Sequence, residues 1–451
     1  MKLKNSNINA GKKQLRHCLG AFLSMVALVF SASNAAAQQT FDSGSQGTNG
    51  ALNLTLAETN GTIVFNPQSM GLVPDQNNAY HFTTINVESG VTVKMRSDIL
   101  GTSPVIWLAS GDVTIDGTLD LNGEDGHDSD QPFQAAVAGA GGFNGGIGKS
   151  VTNPVSPGYG PGGGNVATEA GGLRGGGGAG HFNPGSDGPG SLGGNSYGNN
   201  FLIPLLGGSG GAGGGLESII AEEINQQGSG GGAGGGAILI ASSTQIQVNG
   251  SISCNGGNGG NKVFLPIGDN GGGGSGGSIH LMANTLTGSG GLYAIRGDGS
   301  AYSGDGSFGR IRNEIFDNLF TGTIIPGPIN ATPTLVFPLS GPSVRVVRLS
   351  GLSVPPNASA SIDLPLNPIG SFTPADVVID EDNNVTFEIE ASNIPLGTVV
   401  NLTLRNETEG EINFSSTPLA GTEENSTATA TTSIPHGFSR FTIEANWDPG
   451  T

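Results

Sequence analysis

Residues 105–126 read VIWLASGDVTIDGTLDLNGEDG, and residues 237–259 repeat much of this pattern as AILIASSTQIQVNGSISCNGGNG. In the first copy, apolar residues alternate with polar ones once Gly117 is allowed to introduce a bend. The apolar positions are Val113, Ile115, Leu119 and Leu121. This alternation predicts strands with one buried face and one solvated face.

The two copies align at seven positions if the second copy has one extra residue at or next to Ser243. The aligned pairs are Ile106 with Ile238, Leu108 with Ile240, Val113 with Ile246, Ile115 with Val248, Gly117 with Gly250, Leu119 with Ile252 and Gly123 with Gly256. A third, weaker copy comprises Ile279, Leu281, Leu286, Gly290 and Leu292, and a fourth is expected to begin at Gly309.

Repeated strand-turn-strand units bury their apolar faces by stacking on one another. The repeat therefore predicts an all-β fold, a parallel β-helix (solenoid) over residues 38–325. The alternative is a β-sandwich, whose strands also alternate. A sandwich, however, does not require its strand pairs to resemble one another.

The stretch at about residues 124–236, between the two copies, is rich in glycine. Glycine makes up 81 of the 451 residues, whereas an average protein has about 7%. We predict a glycine-rich insertion that leaves the solenoid at one turn and returns at the next. Its tracts could form bundled polyproline II helices or remain flexible, and the sequence leaves both open. Within it, FLIPLL at 201–206 is apolar enough to need burial, and LESIIAEEINQQ, which begins at Leu216, predicts a short amphipathic helix.

The chain beyond the repeats predicts a separate module. The proline-rich run at 326–342 is typical of a linker. After it, apolar and polar residues alternate in three runs. The apolar members are Val385, Phe387 and Ile389, then Val400, Leu402 and Leu404, then Phe441, Ile443, Ala445 and Trp447. Residues 343–451 therefore predict an immunoglobulin-like β-sandwich that lacks the usual cysteine pair.

Residues 1–37 have the order of a secretory signal peptide, with basic residues first, then an apolar run and then alanines ending at Ala37. The apolar run is too short for a membrane span of about 20 residues. Cleavage would remove five of the 17 Lys and Arg and no acidic residue, leaving 12 basic against 36 acidic residues and a net charge of −24. We expect an exported protein, secreted or at the cell surface, that has no integral membrane segment after cleavage and does not bind nucleic acid.

The phrases IWLASGDVTIDGTLDLNG (106–123) and GGGAGGGAILIAS (230–242) resemble those of glycine-rich secreted bacterial β-helix proteins of the adhesin-like kind. The resemblance covers roughly residues 60–320. It implies a non-catalytic surface, matrix or adhesion protein, with carbohydrate binding as one form of that role. Polysaccharide or other cell-surface components are the partners that such a role implies.

One acidic cluster, GEDGHDSD, is a candidate metal site. Its carboxylates belong to Glu124, Asp125, Asp128 and Asp130, with His127 among them. Closely spaced carboxylates around glycine suit calcium, which takes six to eight oxygen ligands in a flexible loop. The alternative interpretation is an ordinary solvated acidic turn.

Paired basic residues are the candidate catalytic groups. They are Lys94, Arg96, Arg310 and Arg312. A polysaccharide lyase needs a base to remove the proton beside a uronate, so a polysaccharide lyase or glycoside hydrolase acting on the β-helix face is the alternative function. Arginines on outward strand positions are more often ordinary surface charges. The non-catalytic role is therefore the favoured prediction.

Overall fold

The computed structural model describes residues 40–59, 61–131, 134–150, 155–167, 174–215, 227–263, 269–337, 342–355, 358, 376–380, 384–406, 410–437 and 439–446. The elements below all belong to one compact unit, Phe41–Thr451. The predicted signal peptide, the helix expected to begin at Leu216 and Trp447 lie outside the described residues.

The described chain is mostly β-structure, with two helices of four residues each. These helices are α1 (Leu56–Thr59) and α2 (Ser97–Leu100). The strands in chain order are β1 Leu52–Leu54, β2 Thr62–Val64, β3 Ala79–Phe82, β4 Ile85–Val87, β5 Thr92–Lys94, β6 Val105–Ala109, β7 Val113–Ile115, β8 Thr118–Asp120, β9 Ala237–Val248, β10 Ser251–Ser253, β11 Ser278–Thr287, β12 Gly291–Tyr293, β13 Arg310–Asn318, β14 Thr323–Ile325, β15 Ile329–Ala331, β16 Ser343–Leu349, β17 Leu352–Ser353, β18 Asn384–Ser392, β19 Val399–Asn406, β20 Gly410–Pro418, β21 Ala420–Gly421, β22 Ser426–Ser433 and β23 Ser439–Ala445. No helix among the described residues has the length and hydrophobicity needed to cross a membrane.

Strands β1 to β15 form two parallel sheets. The large sheet follows the order β1-β4-β7-β9-β11-β13-β15, and β3 joins it through β6, which pairs with β9. The small sheet has the order β14-β12-β10-β8-β5-β2. In the first copy of the repeat, β6 and β7 are two separate short strands. In the second copy, the single long strand β9 pairs with both of them.

The two parallel sheets share one hydrophobic core. Trp107 and Ile240 of the large sheet and Leu119 and Ile252 of the small sheet are completely buried within it. The opposite face of the large sheet is also covered, by a second apolar cluster. That cluster includes Phe41, Ile106, Leu108, Leu202, Leu205, Leu239 and Met282. Burial of both faces is the usual condition for parallel sheets and explains why β6 reads as a continuous apolar run, VIWLA.

The strand pairings confirm that the similar stretches stack on one another, but they correct the alignment. Val113 pairs with Ile246 and Leu119 with Ile252, as predicted. In the first half, however, Ile238 lies opposite Val105 and not opposite Ile106. A constant offset of 133 residues therefore relates the two copies, and no extra residue is needed near Ser243. Because a slip of one residue reverses the face of a strand, Val105 and Trp107 face the shared core while Ile106 and Leu108 face the second cluster.

The glycine-rich segments form a hydrogen-bonded lattice that lies between and beside the strands. We call it the glycine lattice and define it as residues 121–131, 134–150, 155–167, 174–195, 207–215, 227–237, 254–261, 269–277 and 294–309. Its central segment bonds to three neighbours in strict rotation. The N–H groups of residues 228, 231, 234 and 237 donate to carbonyls of residues 149, 146, 143 and 140; those of 229, 232 and 235 to carbonyls of 269, 272 and 275; and those of 230, 233 and 236 to carbonyls of 127, 124 and 121.

A period of three residues is the period of a polyproline II helix, which makes no hydrogen bonds within itself. The N–H groups of successive residues point to three neighbouring segments in turn. In a bundle, each such helix can therefore form its backbone hydrogen bonds with the segments around it. Of the two states that the sequence left open for the glycine tracts, the structure has the bundled one. Glycine is required because the neighbouring backbone lies where a side chain would be. A Cβ added to Gly232 would lie 1.9 Å from the carbonyl oxygen of Gly257.

The predicted fold class, a parallel β-helix with a long glycine-rich insertion and a C-terminal immunoglobulin-like sandwich, is wrong. The described residues form two parallel sheets and two antiparallel sheets with almost no helix, and the parallel sheets do not make a clear solenoid of one hand. The sequence repeat identifies the strands that pair in parallel, but it does not predict the structure of the segments that connect these strands. Here glycine segments lead into β9, β11 and β13 and are bonded to one another throughout, so they are not an insertion outside a solenoid.

The C-terminal part has two antiparallel sheets. Their orders are β17-β16-β18-β22-β21 and β20-β19-β23. Phe387 and Ile389 of the first sheet and Leu402 and Leu404 of the second are buried in one apolar cluster, so the predicted alternation of the first two runs is confirmed. In the third run, Phe441, Ile443 and Ala445 are only partly buried against this cluster.

Candidate functional site

An open polar groove of about 510 Å³ lies on the glycine lattice. Two segments line it, 125–131 and 258–261. The lining residues are Asp125, Gly126, His127, Asp128, Asp130, Gln131, Asn258, Gly259, Gly260 and Asn261. Most of the acidic cluster that the sequence singled out therefore lies in this groove.

The polyproline II period arranges polar side chains of the groove in rows. Asp125 and Asp128 are three residues apart on one segment, and Asn258 and Asn261 are three apart on the next. Asp125 Oδ1 accepts the Asn258 N–H at 2.7 Å, and Asp128 Oδ1 accepts the Asn261 N–H at 2.8 Å. In turn Asn258 Oδ1 accepts the Asp298 N–H at 2.9 Å. The side chains of Asp125, Asp128 and Asn258 thus bond to the backbone of the next segment, which fixes them to a rigid support, while the Asn261 side chain accepts from the Ser300 hydroxyl.

Asn122 and Asn255 extend these rows beyond the groove. Asn122 Oδ1 accepts the Asn255 N–H at 2.8 Å, and Asn255 Oδ1 accepts the Ile295 N–H at 2.8 Å. These rows are not among the features predicted from the sequence. Their signal is an Asn or Asp at every third position, at 122, 125 and 128 and again at 255, 258 and 261.

The predicted calcium ligands are only partly brought together. Glu124 is engaged elsewhere, because its Oε1 accepts from Arg96 Nη1 at 2.5 Å and its Oε2 accepts the Val137 N–H at 3.0 Å. Asp125 and Asp128 each use one oxygen on backbone N–H groups. Within the described part of the chain, no group of three or more His, Cys, Asp or Glu is placed to hold a metal. Calcium binding by Glu124, Asp125, Asp128 and Asp130 stays a prediction.

The candidate basic residues lie in two separate settings. Lys94 is exposed at the end of β5. Arg96 is bound on both sides, because its Nε and Nη2 donate to Asp98 at 3.1 Å and its Nη1 donates to Glu124. These bonds, above all those from Asp98, raise the pKa of Arg96 despite some burial. Arg96 therefore remains a cation and has carboxylates as its partners.

Arg310 and Arg312, by contrast, are buried on β13. Arg310 Nη1 donates to the Tyr197 carbonyl at 2.7 Å, and its guanidinium lies 5.2 Å from the ring centre of Phe182. Arg312 Nη1 donates to the Asn200 carbonyl at 3.1 Å. Both arginines therefore hold the segment around residues 182–201 against the large sheet. Burial lowers the pKa of Arg310, whose Nε has no hydrogen-bond partner among the described residues.

Glu314 connects Arg312 to the chain that follows the parallel sheets. Its Oε1 accepts from Arg312 Nε at 2.6 Å, and its Oε2 accepts from the N–H and the hydroxyl of Thr334 at 2.9 and 2.7 Å. His280 Nε2 lies 3.3 Å from Oε1, although it is poorly aligned for a hydrogen bond. Burial alone would raise the pKa of Glu314, but these partners together lower it to about 2. Glu314 is therefore a buried anion that neutralises Arg312.

Two further polar residues, Ser209 and His181, have structural roles. Ser209 is buried, and its hydroxyl donates to the Tyr197 hydroxyl at 3.0 Å. His181 stacks on the Tyr197 ring with 4.7 Å between ring centres, and burial together with the nearby charge of Arg310 lowers the pKa of His181 to about 3. It is neutral at ordinary pH and donates through Nδ1 to the Gly276 carbonyl at 2.7 Å.

The arrangement offers a rigid surface of hydrogen-bond acceptors and amide groups in an open groove, while two of the four candidate bases are buried away from solvent. Comparisons with protein-family models, with curated proteins and with solved structures found no match to this chain.

Proposed function

We propose that this chain is an exported, non-catalytic surface or matrix protein that adheres to polysaccharide through the polar groove. The observation that supports this role is the fixed row of Asp and Asn side chains along the groove. Carboxylates and amides can accept hydrogen bonds from sugar hydroxyls, and amides can also donate. Because the rows are bound to backbone, such a surface loses little conformational freedom when a ligand binds.

The electrostatics of the groove favour a neutral or amino-substituted polysaccharide over a uronate. Three carboxylates line the groove, and no Lys or Arg is among its lining residues. An acidic sugar chain would be repelled unless a cation such as calcium bridged it to the groove. The proposal also accounts for the arginines on β13, because both are buried and each donates to a carbonyl of an adjacent segment of the protein.

The test is size-exclusion chromatography of neutral, amino-substituted and acidic polysaccharides after incubation with residues 38–451, with and without calcium. We expect intact sugar chains that co-elute with the protein. Shortened chains would overturn the proposal and favour a lyase or hydrolase. Intact chains that elute independently of the protein would remove polysaccharide binding and leave a purely structural role.

A pair of substitutions locates the binding surface. Asp130→Ala with Gln131→Ala removes two groove side chains without touching the backbone-bonded rows, so co-elution should weaken while the melting temperature is unchanged. The matched control is Asp317→Asn, an exposed position at the end of β13. Equal binding by the two variants would place any sugar contact away from Asp130 and Gln131.

A further inference from the structure

Within the described part of the chain, the small parallel sheet has two open edges, where the edge strand pairs on one side only. All six of its strands have three residues, so its edge strands are as long as its inner ones. At one edge β2, Thr62-Ile63-Val64, pairs only with β5. At the other edge β14, Thr323-Ile324-Ile325, pairs only with β12. The two edges thus have the same sequence except for one methylene group in the last residue.

The outward-facing third position separates edge strands from inner ones. The inner strands have Lys94, Asp120, Ser253 and Tyr293 there. The edge strands have Val64, which is 40% exposed, and Ile325, which is 38% exposed. Edge strands normally carry charges that discourage pairing with another chain. In this sheet the only two β-branched apolar residues at that position are the ones at the open edges.

The inward-facing second position shows the same distinction. Val93, Leu119, Ile252 and Leu292 of the inner strands are completely buried. Ile63 and Ile324 pack against the same core but are only partly buried. The apolar row is therefore incomplete at both ends, and one more strand at either end would bury it further. Burial of apolar area of this kind is the main driving force for association.

The backbone hydrogen bonds of this sheet can continue from an edge strand of one copy to an edge strand of a second copy. Within the sheet, the N–H of the first residue of a strand donates to the carbonyl of the residue that immediately precedes the neighbouring strand. Thr323 of β14, for example, donates to Gly290, which precedes β12, at 2.9 Å. In a continued sheet, Thr62 of a second copy would donate to Gly322 in the same way. One bond would be lost, because Pro326 follows β14 where Ala294 supplies an N–H one strand earlier. A weak, concentration-dependent contact is expected.

We propose that this protein associates head to tail, with β2 of one copy paired in parallel to β14 of the next. The existing register would continue, with Thr62 opposite Thr323, Ile63 opposite Ile324 and Val64 opposite Ile325. Because the two surfaces differ, the contact is heterologous and can extend into a filament unless the rotation closes a ring. This inference stands independently of the polysaccharide-binding function.

The test uses two variants that each block one edge, Val64→Lys and Ile325→Lys. Sedimentation equilibrium of wild-type residues 38–451 should show an average mass that rises with concentration. Each variant alone should stay monomeric. An equimolar mixture should form dimers and nothing longer, since each variant retains one open edge. Ile99→Lys on α2, at a 43% exposed position that belongs to neither edge strand, should assemble like wild type.

Three results would overturn the proposal: a wild-type protein that stays monomeric up to its solubility limit, assembly by either variant alone, or no dimer in the mixture. Melting temperatures show whether the lysine variants fold. If either lysine variant does not fold, Val64→Thr and Ile325→Thr, which retain a β-branched side chain, take the place of the lysine variants in the same mixing experiment. Each threonine variant alone should then assemble more weakly than wild type.

Discussion

At the scale of single residues, inner glycines of the glycine lattice leave no space for a side chain. The N–H of Gly232 donates to the Gly272 carbonyl, and the place of its absent Cβ is 1.9 Å from the Gly257 carbonyl oxygen. We predict that Gly232→Ala lowers the free energy of unfolding by about 3 kcal/mol or more, at the upper end of overpacking effects. Denaturant unfolding checks this.

The matched control for that prediction is Gly327→Ala, where an added Cβ meets nothing within 4 Å. The control should change stability by less than about 0.5 kcal/mol. Equal effects of the two substitutions would show that Gly232 can move aside, and the lattice would then be looser than its hydrogen bonds indicate.

Glu314 makes stability depend on acid pH. Its pKa is lowered to about 2 from 4.5, so its contribution is present above pH 4.5 and is lost as pH falls from there toward 2. That contribution is on the order of 3 kcal/mol, and the Glu314 side chain is only 4% exposed. Glu314→Gln should therefore be less stable than wild type at pH 7, and the difference between them should shrink steadily toward pH 2.

Thermal melting of both proteins from pH 7 to pH 2 measures this difference. Glu444→Gln, at an exposed position on β23, controls for loss of a carboxylate in general and should follow wild type. A constant gap between wild type and Glu314→Gln at every pH would show that Glu314 acts by packing and not by charge.

At the scale of elements, the hydrogen bonds of the glycine lattice predict slow amide hydrogen exchange. This is expected in segments whose glycine-rich sequence is also compatible with a flexible chain. Each N–H from residue 228 to residue 237 donates to a carbonyl of a neighbouring segment. We predict that these amides exchange as slowly as those of β9, which follows directly. Native-state exchange followed by mass spectrometry provides the measurement, with the N–H of the exposed Gly327 as the fast reference. Rapid exchange at 228–237 would mean that the lattice opens without unfolding the sheets.

The strands themselves could largely be predicted, because their alternation is local. Val113, Ile115, Leu119 and Leu121 are all buried, as their spacing indicates. The register of β6 could not be predicted in this way. Its residues are apolar on both faces, so a shift of one residue leaves the pattern equally good, and only the pairing of Val105 with Ile238 fixes it.

The candidate site could be predicted only in part, for a different physical reason. The acidic cluster is contiguous in sequence, so most of it necessarily lies together in the groove. The position of Arg310 and Arg312 depends on what covers the outer face of the large sheet. That cover is the distant segment around Tyr197 and Asn200, and nothing local in the sequence near β13 reports it.

At the scale of the whole molecule, the parallel sheets and the antiparallel sheets have separate apolar cores. Trp107 lies in the core of the parallel sheets, with its ring 5.3 Å from that of Phe65. Phe387 lies in the core of the antiparallel sheets, 5.1 Å from the ring of Phe414. The predicted linker at 326–342 lies between these cores in sequence, but its strand β15 (Ile329–Ala331) pairs with β13 of the large parallel sheet. Two cores that share no residue favour two unfolding transitions, since chains with several cores often depart from two-state behaviour.

We predict that calorimetry of residues 38–451 shows two transitions and that each core substitution moves only one of them. Trp107→Ala and Phe387→Ala should each cost about 3–5 kcal/mol in the core that they affect. Val73→Ala, at a 71% exposed position, should move neither transition. A single transition that both core substitutions lower would show that the two cores unfold as one cooperative unit, and the linker would then be a rigid connection between them.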